Sequence, residues 1–344
     1  MDLSTEAGRR EWQRRRKKGI GGSEAATLFN RPDRIVNKWQ SRFSLYQSKV
    51  SEKDHDDDNP TLELGRWLEP VVRDMYVHKV GRVVTGGFTL IAHPDYDFML
   101  ANTDGRIAAV PEHDGEGVYE GKTQNVFVKH DWKQEVPLLY RVQLQHYLAV
   151  TGLSWGSFAC FEVGAADWFH WGDEERNDKF IEALYDLEWT FWRDHVLAGV
   201  PPDPDGSVAT TKALKLLHPN DNGRVIFLPP EAHGWLAERS EIAAQMKDLK
   251  KRQAEIDNKI RAAMGDNSYG ALEDGGGIAY KTQASNYGPE LVLQVVEDLL
   301  GKEEANAVRA AVKPLRGTTR VLRVASEKTI SAALAEQQEQ EQDT

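Results

Sequence analysis

Only one cysteine, Cys160, occurs among the 344 residues, inside the apolar run SFACFEV. That count excludes disulfides, a zinc ribbon and a four-cysteine iron–sulfur cluster, and the thiol is expected in the core. Long hydrophobic runs are missing too. No apolar stretch approaches the roughly 18 residues of a membrane-spanning helix, and the charged N-terminus is not followed by an apolar segment, so a cytoplasmic protein is expected. Positive charge is scarce, with 43 Lys and Arg against 54 Asp and Glu, for a formal net charge of −11. It is also unevenly spread. Seven of the ten residues from Arg9 to Lys18 are basic, whereas EKDHDDD (52–58) and the Gln/Glu tail are acidic. A basic patch on an acidic chain suits gripping a phosphate backbone while staying off nonspecific sites, and it equally suits a solvated helix face.

What the chain does have centres on Ala101 to Gln124, ANTDGRIAAVPEHDGEGVYEGKTQ. Asp104 lies in a tight TDG turn, and Glu120 and Lys122 lie on a short strand, VYEGKT. Side chains alternate along a strand, so Glu120 and Lys122 share a face. If the chain reverses around Pro111 and HDGEG, that strand lies beside RIAAV and brings Asp104 to the same place. Two carboxylates about 4 Å apart repel by a few kcal/mol, a cost that a cation removes. All-oxygen ligation suits a hard ion such as Mg2+. Taken alone, the triplet fits an unremarkable Glu-x-Lys pair on a surface strand better than it fits a metal site.

The remaining elements read as follows. Residues 5–18 form a basic helix with Trp12 on its apolar side. The glycines of Gly19-Ile20-Gly21-Gly22 then lead into a helix N-capped by Ser23, a turn that presents backbone N–H groups to an anion or is a plain cap. Residues 61–80 form an amphipathic helix buried through Leu64, Leu68, Val71, Val72, Met75 and Val80. Glu69 lies close to that stripe, either paired with Arg66 or Arg73 or facing the carboxylates. Strands are predicted over 82–92, 98–101, 106–110 and 118–123, then a helix over 137–151 with Tyr140, Gln143 and Tyr147 on one face. A hairpin over 155–171 and a helix over 173–198 close an α/β core with a mixed central sheet flanked by helices, residues 1–200. Residues 201–228 read as a Pro/Gly-rich linker. The extension, 229–344, holds a long helix (230–264) with Trp235, Ile242, Leu249, Ile256 and Ala263 at heptad spacing. A hairpin at Gly275–Gly277, a helix (289–312), a strand (318–324) and a disordered acidic tail follow.

The order GIGGSEAA, ELGRWLEP, ANTDG, EGK, YxxQxQ and VTG resembles the lambda-exonuclease and YqaJ group of phage-type recombination nucleases, in the restriction-endonuclease-like superfamily. The likeness covers about Arg9 to Val200, and the DGS, the long helix and YKTQ resemble an extension of YqaJ-type chains. It implies that Asp104, Glu120 and the carbonyl of Gly121 bind Mg2+, with Mn2+ able to substitute. It implies that Glu69 reaches in from its helix, that Lys122 holds the attacking water or scissile phosphate, and that Gln143 assists. Arg16 and Ser23 would receive a terminal 5′-phosphate. Arg14 and Arg15 leave that arginine's register open, and with Tyr140 they are further DNA contacts. Thr103 replaces a frequent proline, and Thr123-Gln124 a frequent Cys-Pro.

The implied activity is Mg2+-dependent hydrolysis of linear double-stranded DNA from the 5′ end, leaving 3′ single strands for recombination. The implied partners are a single-strand annealing protein and, by resemblance, two further copies in a trimer. Such chemistry needs no protein nucleophile, which agrees with the lack of a Cys/His or Ser/His/Asp constellation. The rival readings are a structure-specific or single-strand endonuclease on the same core and an inactive DNA-end-binding protein.

Overall fold

The computed structural model describes residues 5–51, 60–125, 131–165, 167–219 and 228–284, with 297, 301–303, 306, 318–325 and 331–332. The chain divides into two compact units, Met1–Arg224 and Val225–Thr344. Among the described residues no helix is long and apolar enough to cross a membrane.

In the first unit, helix α1 (Glu6–Arg16) starts on Thr5, whose hydroxyl accepts from the Gly8 N–H at 3.1 Å. Strand β1 (Ile20–Gly21) leads into the four-residue helix α2 (Gly22–Ala25) and a 3-10 turn, Ala26–Phe29. The cap here is Gly21 and not Ser23 as the sequence suggested. The Gly21 N–H donates to Glu24 Oε2 at 2.8 Å, so it is taken by a side chain instead of being offered to an anion. Helix α3 (Arg42–Val50) follows, capped by Ser41 and Ser44, and then α4 (Pro60–Val80).

The predicted strand over 82–92 is two short strands in different sheets, β2 (Val84–Gly86) and β3 (Ile91–Ala92). Next come β4 (Met99–Ala101), β5 (Gly105–Ile107) and β6 (Gly117–Asn125), helices α5 (Asp131–Gln134) and α6 (Leu138–Thr151), and β7 (Trp155–Val163) with β8 (Asp167–Phe169). The helix expected from 173 begins later. Asp173–Glu175 is strand β9, which pairs with the start of β7 and is held there by Arg82, whose guanidinium lies 2.7 Å from Asp173. Helix α7 (Asp178–Phe191) then starts on Asn177 and runs on as a π-helical turn, Trp192–Leu197.

The main sheet has the order β2-β5-β6-β7-β8, with β9 also on β7. Its pairs are antiparallel except β6 with β7, which are parallel and joined through α6. A second sheet has the order β1-β4-β3. Alternation along β6 sorts the core. Tyr119 packs with Val72 and Tyr76 of α4, and Val118 packs with Leu144 and Leu148 of α6, so α4 and α6 cover opposite faces. Leu144 and Leu148 are fully buried, each contributing roughly 1.5–3 kcal/mol. Cys160 lies in the same core, its thiol pushed up to about 12 by burial.

The predicted buried stripe of α4 needs correction. Val72 and Tyr76 are buried, whereas Leu64 and Val71 are exposed. The stretch is apolar on more than one face, and the sheet selects the Val72–Tyr76 side. The region read as a linker contains helix α8 (Val208–Leu217), docked on α3 where Thr210 Oγ1 donates to Ser41 Oγ at 2.7 Å.

The second unit holds helix α9 (Ala232–Met264), on which Trp235, Ile242, Leu249 and Ile256 are exposed. Strands β10 (Tyr269–Ala271), β11 (Gly277–Ala284) and β12 (Thr318–Ala325) form an antiparallel sheet, as the predicted hairpin and last strand require. The predicted helix 289–312 and the acidic tail lie almost wholly outside the described residues.

Candidate active site

Antiparallel pairing of β5 with β6 sets Gly105 opposite Tyr119, which places Asp104 beside the middle of β6. The Gly121 N–H donates to Asp104 Oδ2 at 3.0 Å. Glu120 and Lys122 share the face that looks towards α6, as alternation demands. Lys122 Nζ donates to Glu120 Oε1, which also accepts from Gln143 Nε2 at 2.5 Å. Gln143 Nε2 lies 3.0 Å from the hydroxyl of Tyr147, one turn further along α6. Tyr140, one turn earlier, does not line this cleft. Its ring lies 5.2 Å from Lys122 Nζ and stacks on Trp132, a platform for the ammonium.

The electrostatics are those of crowded negative charge. Burial and then the charge of Asp104 push the Glu120 carboxyl from 4.5 to about 8, against the opposing pull of Lys122. Burial also raises Asp104. Burial would lower Lys122, but Glu120 and Asp104 hold its proton and carry it above the usual lysine range. Glu120 Oε2 is buried without a hydrogen-bond partner, so one oxygen of a carboxylate is desolvated with nothing to compensate it. A cation with oxygen preference fits that atom together with the neighbouring carboxylate of Asp104. Among the described residues no three Asp, Glu, His or Cys side chains form a ready-made metal cluster. Glu69 of α4 is exposed by area, yet it lies near enough for Asp104 and Lys122 to act on its carboxyl and for its own charge to act on Glu120. Partial burial and the charge of Asp104 still raise its carboxyl.

These shifts set a stability window. The folded state keeps the Glu120 proton where the unfolded chain has lost it, so the contribution of this carboxyl to stability is greatest below 4.5 and declines as pH rises towards about 8. Glu69 and Asp104, both raised, act in the same sense. Melting temperatures measured in a chelator are expected to fall across this window, with a smaller fall in Asp104→Asn. Added Mg2+ is expected to raise them most at the alkaline end.

The same cleft, about 150 Å3, is walled on its other side by Trp12, Arg16 and Ser23. Arg16 Nη2 donates to Ser23 Oγ and lies 3.2 Å from both Ser23 Oγ and Glu24 Oε1. Its guanidinium lies over Trp12 at 5.1 Å. Arg14 and Arg15 pair with Glu11 at 2.7 and 2.9 Å on the exposed side of α1, and Arg16 alone of the three turns into the cleft. The two walls meet where α2 abuts α6. A Cβ on Gly22 would stand 2.4 Å from the Tyr147 ring, so glycine is required for that approach.

Two residues of this wall were missed in the sequence. Glu24 is buried, and its second oxygen accepts from Lys49 Nζ at 2.6 Å. The G-x-x-E spacing of a capping box was a readable signal for Glu24, while nothing in the sequence joins Lys49 to it.

Residues 11–154, which include both walls, match the family of the YqaJ-like viral recombinase domain. The chain is 30% identical over 272 residues to the uncharacterized protein YqaJ of Bacillus subtilis (strain 168), covering 78% of this chain and 82% of that protein. The chain belongs to the YqaJ family. Among solved structures it is similar to an alkaline exonuclease (LHK-Exo) from Laribacter hongkongensis, with 22% identity, 60% of this chain and 99% of that one covered, and a TM-score of 0.45. It is also similar to a phage-related exonuclease from Haemophilus somnus 129PT, with 9% identity, 53% and 96% covered, and a TM-score of 0.42.

Proposed function

We propose that this protein is a divalent-metal-dependent deoxyribonuclease that degrades one strand of linear double-stranded DNA from its 5′ end, leaving 3′ single strands for recombination. The observation that carries the reading is the buried, unpartnered Glu120 Oε2 beside Asp104 and Lys122, in a cleft whose opposite wall is Arg16 and Ser23. One wall suits a cation and the other an anion, which is what a phosphodiester and its metal ion require together. Membership in a viral recombinase family supports a role in DNA recombination.

Asp104, Glu120 and the Gly121 carbonyl would hold Mg2+, or Mn2+ in its place. When bound, the ion supplies an acidified water and neutralises charge on the leaving oxygen. Lys122 keeps its proton and sets a fixed positive charge where negative charge grows on the phosphoryl group. Gln143, tied to both Glu120 and Tyr147, fixes the carboxylate's rotamer. Arg16 and Ser23 receive the terminal phosphate, a dianion that a guanidinium and a hydroxyl suit. The expected partner is a single-strand annealing protein, and the expected assembly is a homotrimer.

The test uses purified full-length protein and DNA carrying labelled 5′-phosphate ends, with Mg2+ or with a chelator. Short labelled products should appear from linear duplex with Mg2+ only, and closed circular DNA should stay intact. Cutting of the circle would replace the reading with an endonuclease, and no hydrolysis at all with an end-binding protein. Arg16→Ala is expected to reduce the preference for 5′-phosphate over 5′-hydroxyl ends by about tenfold.

A further inference from the structure

The buried ion pair behind the anion wall has a geometry that a plain structural pair does not need. Glu24 is divided between two cations. Oε1 faces Arg16 at 3.2 Å, and Oε2 accepts from Lys49 Nζ at 2.6 Å and from the Gly21 N–H at 2.8 Å. Lys49 Nζ also donates to the backbone carbonyl of Arg16 at 3.1 Å, so the ammonium grips both the back of Glu24 and the helix end that carries the arginine. The Lys49 side chain is 2% exposed and that of Arg16 33% exposed. Of these three charges one positive charge is left over, and it is the exposed one, on the cleft side.

An unrestrained carboxylate beside a guanidinium closes on it with both oxygens, the strongest arrangement for that pair. In this pocket that would cancel the charge meant for an anion. The shorter contact is instead to Lys49, on the inner side. Glu24 stays ionised despite full burial, because Lys49 and Arg16 together outweigh the cost of desolvation.

We propose that Lys49 is a positioning residue for specificity: it holds Glu24 back from Arg16, so that the guanidinium keeps a face open to a terminal phosphomonoester. This rests on the reading of Arg16 and Ser23 as the phosphate wall. Removing Lys49 alone leaves Arg16 and Glu24 to neutralise each other. Removing the charges of both Lys49 and Glu24 restores the single positive charge at Arg16. A pair that served stability alone would show that same order in melting temperature, the single variant lowest and the double recovered, but would leave the end preference of each folded variant at the parent's value.

The experiment measures equilibrium binding, in a chelator, of full-length protein to two duplexes identical except for 5′-phosphate or 5′-hydroxyl ends. The parent is expected to prefer the phosphorylated duplex. Lys49→Met should reduce that preference by about tenfold, the usual size of losing one charge-assisted contact, and Glu24→Gln with Lys49→Met should recover most of it. Melting curves of each variant accompany the binding data, and recovery in the double variant also shows that the fold is intact. A Lys49→Met protein that keeps the parent's preference, or a double variant as indifferent as the single, overturns the role of Lys49. A parent that binds both duplexes equally overturns the phosphate wall itself, and the role of Lys49 with it.

Discussion

Replacing Asp104 with asparagine is expected to lower DNA hydrolysis by about a thousandfold or more, the scale of losing a group that acts on charge in the transition state. The substitution is chosen to leave the local structure alone. The asparagine oxygen can still accept from the Gly121 N–H, the 3.0 Å bond that fixes the turn. What disappears is one of the negative charges that push Glu120 up. The variant should therefore melt no lower than the parent in a chelator at neutral pH, and should lose the stabilisation that Mg2+ gives the parent. Hydrolysis in Mg2+ and melting with and without the ion check both halves. A variant that hydrolyses DNA at the parental rate removes Asp104 from the chemistry, whatever its melting curve shows.

Lys122→Met separates positioning of charge from holding of the ion. Lys122 donates to Glu120 Oε1 and rests over the Tyr140 ring, so methionine can occupy its path while the positive charge goes. The expected result is a fall in kcat of about a hundredfold or more with little change in KM, because the charge acts where the transition state grows negative. The Mg2+ concentration needed for half-maximal rate should not rise, since a competing cation has been taken from beside Glu120. A rise in that concentration, with kcat little changed, would make Lys122 a support for metal binding instead.

Much of the carboxylate wall was legible because strands impose a rigid rule. Period two fixed Glu120 and Lys122 on one side, and the turn chemistry of TDG and HDGEG brought Asp104 beside them. Helix spacing likewise put Gln143 and Tyr147 in one line, and they do meet through a hydrogen bond. Less was legible where the outcome depends on which of several equivalent residues finds a distant partner. Arg14, Arg15 and Arg16 differ by about 100° steps around one helix, and only the three-dimensional position of Glu24 and Ser23 selects Arg16. Lys49 meets Glu24 across 25 residues of chain, a pairing no local pattern encodes. The faces of α4 were misjudged for a related reason. Leu64 and Val71 are apolar enough for a core, but the sheet packs against Val72 and Tyr76.

The contact of Gly22 with the Tyr147 ring carries a last implication. Tyr147 and Gln143 belong to the helix that orders the acidic wall, and Gly22 directly precedes Ser23 on the opposite one. The interval between the two walls is therefore a fixed gauge, unable to narrow because Gly22 already abuts a buried tyrosine. On the proposed reading, a strand anchored by its terminal phosphate is measured off at each cut, and the fragments released should be uniform in length.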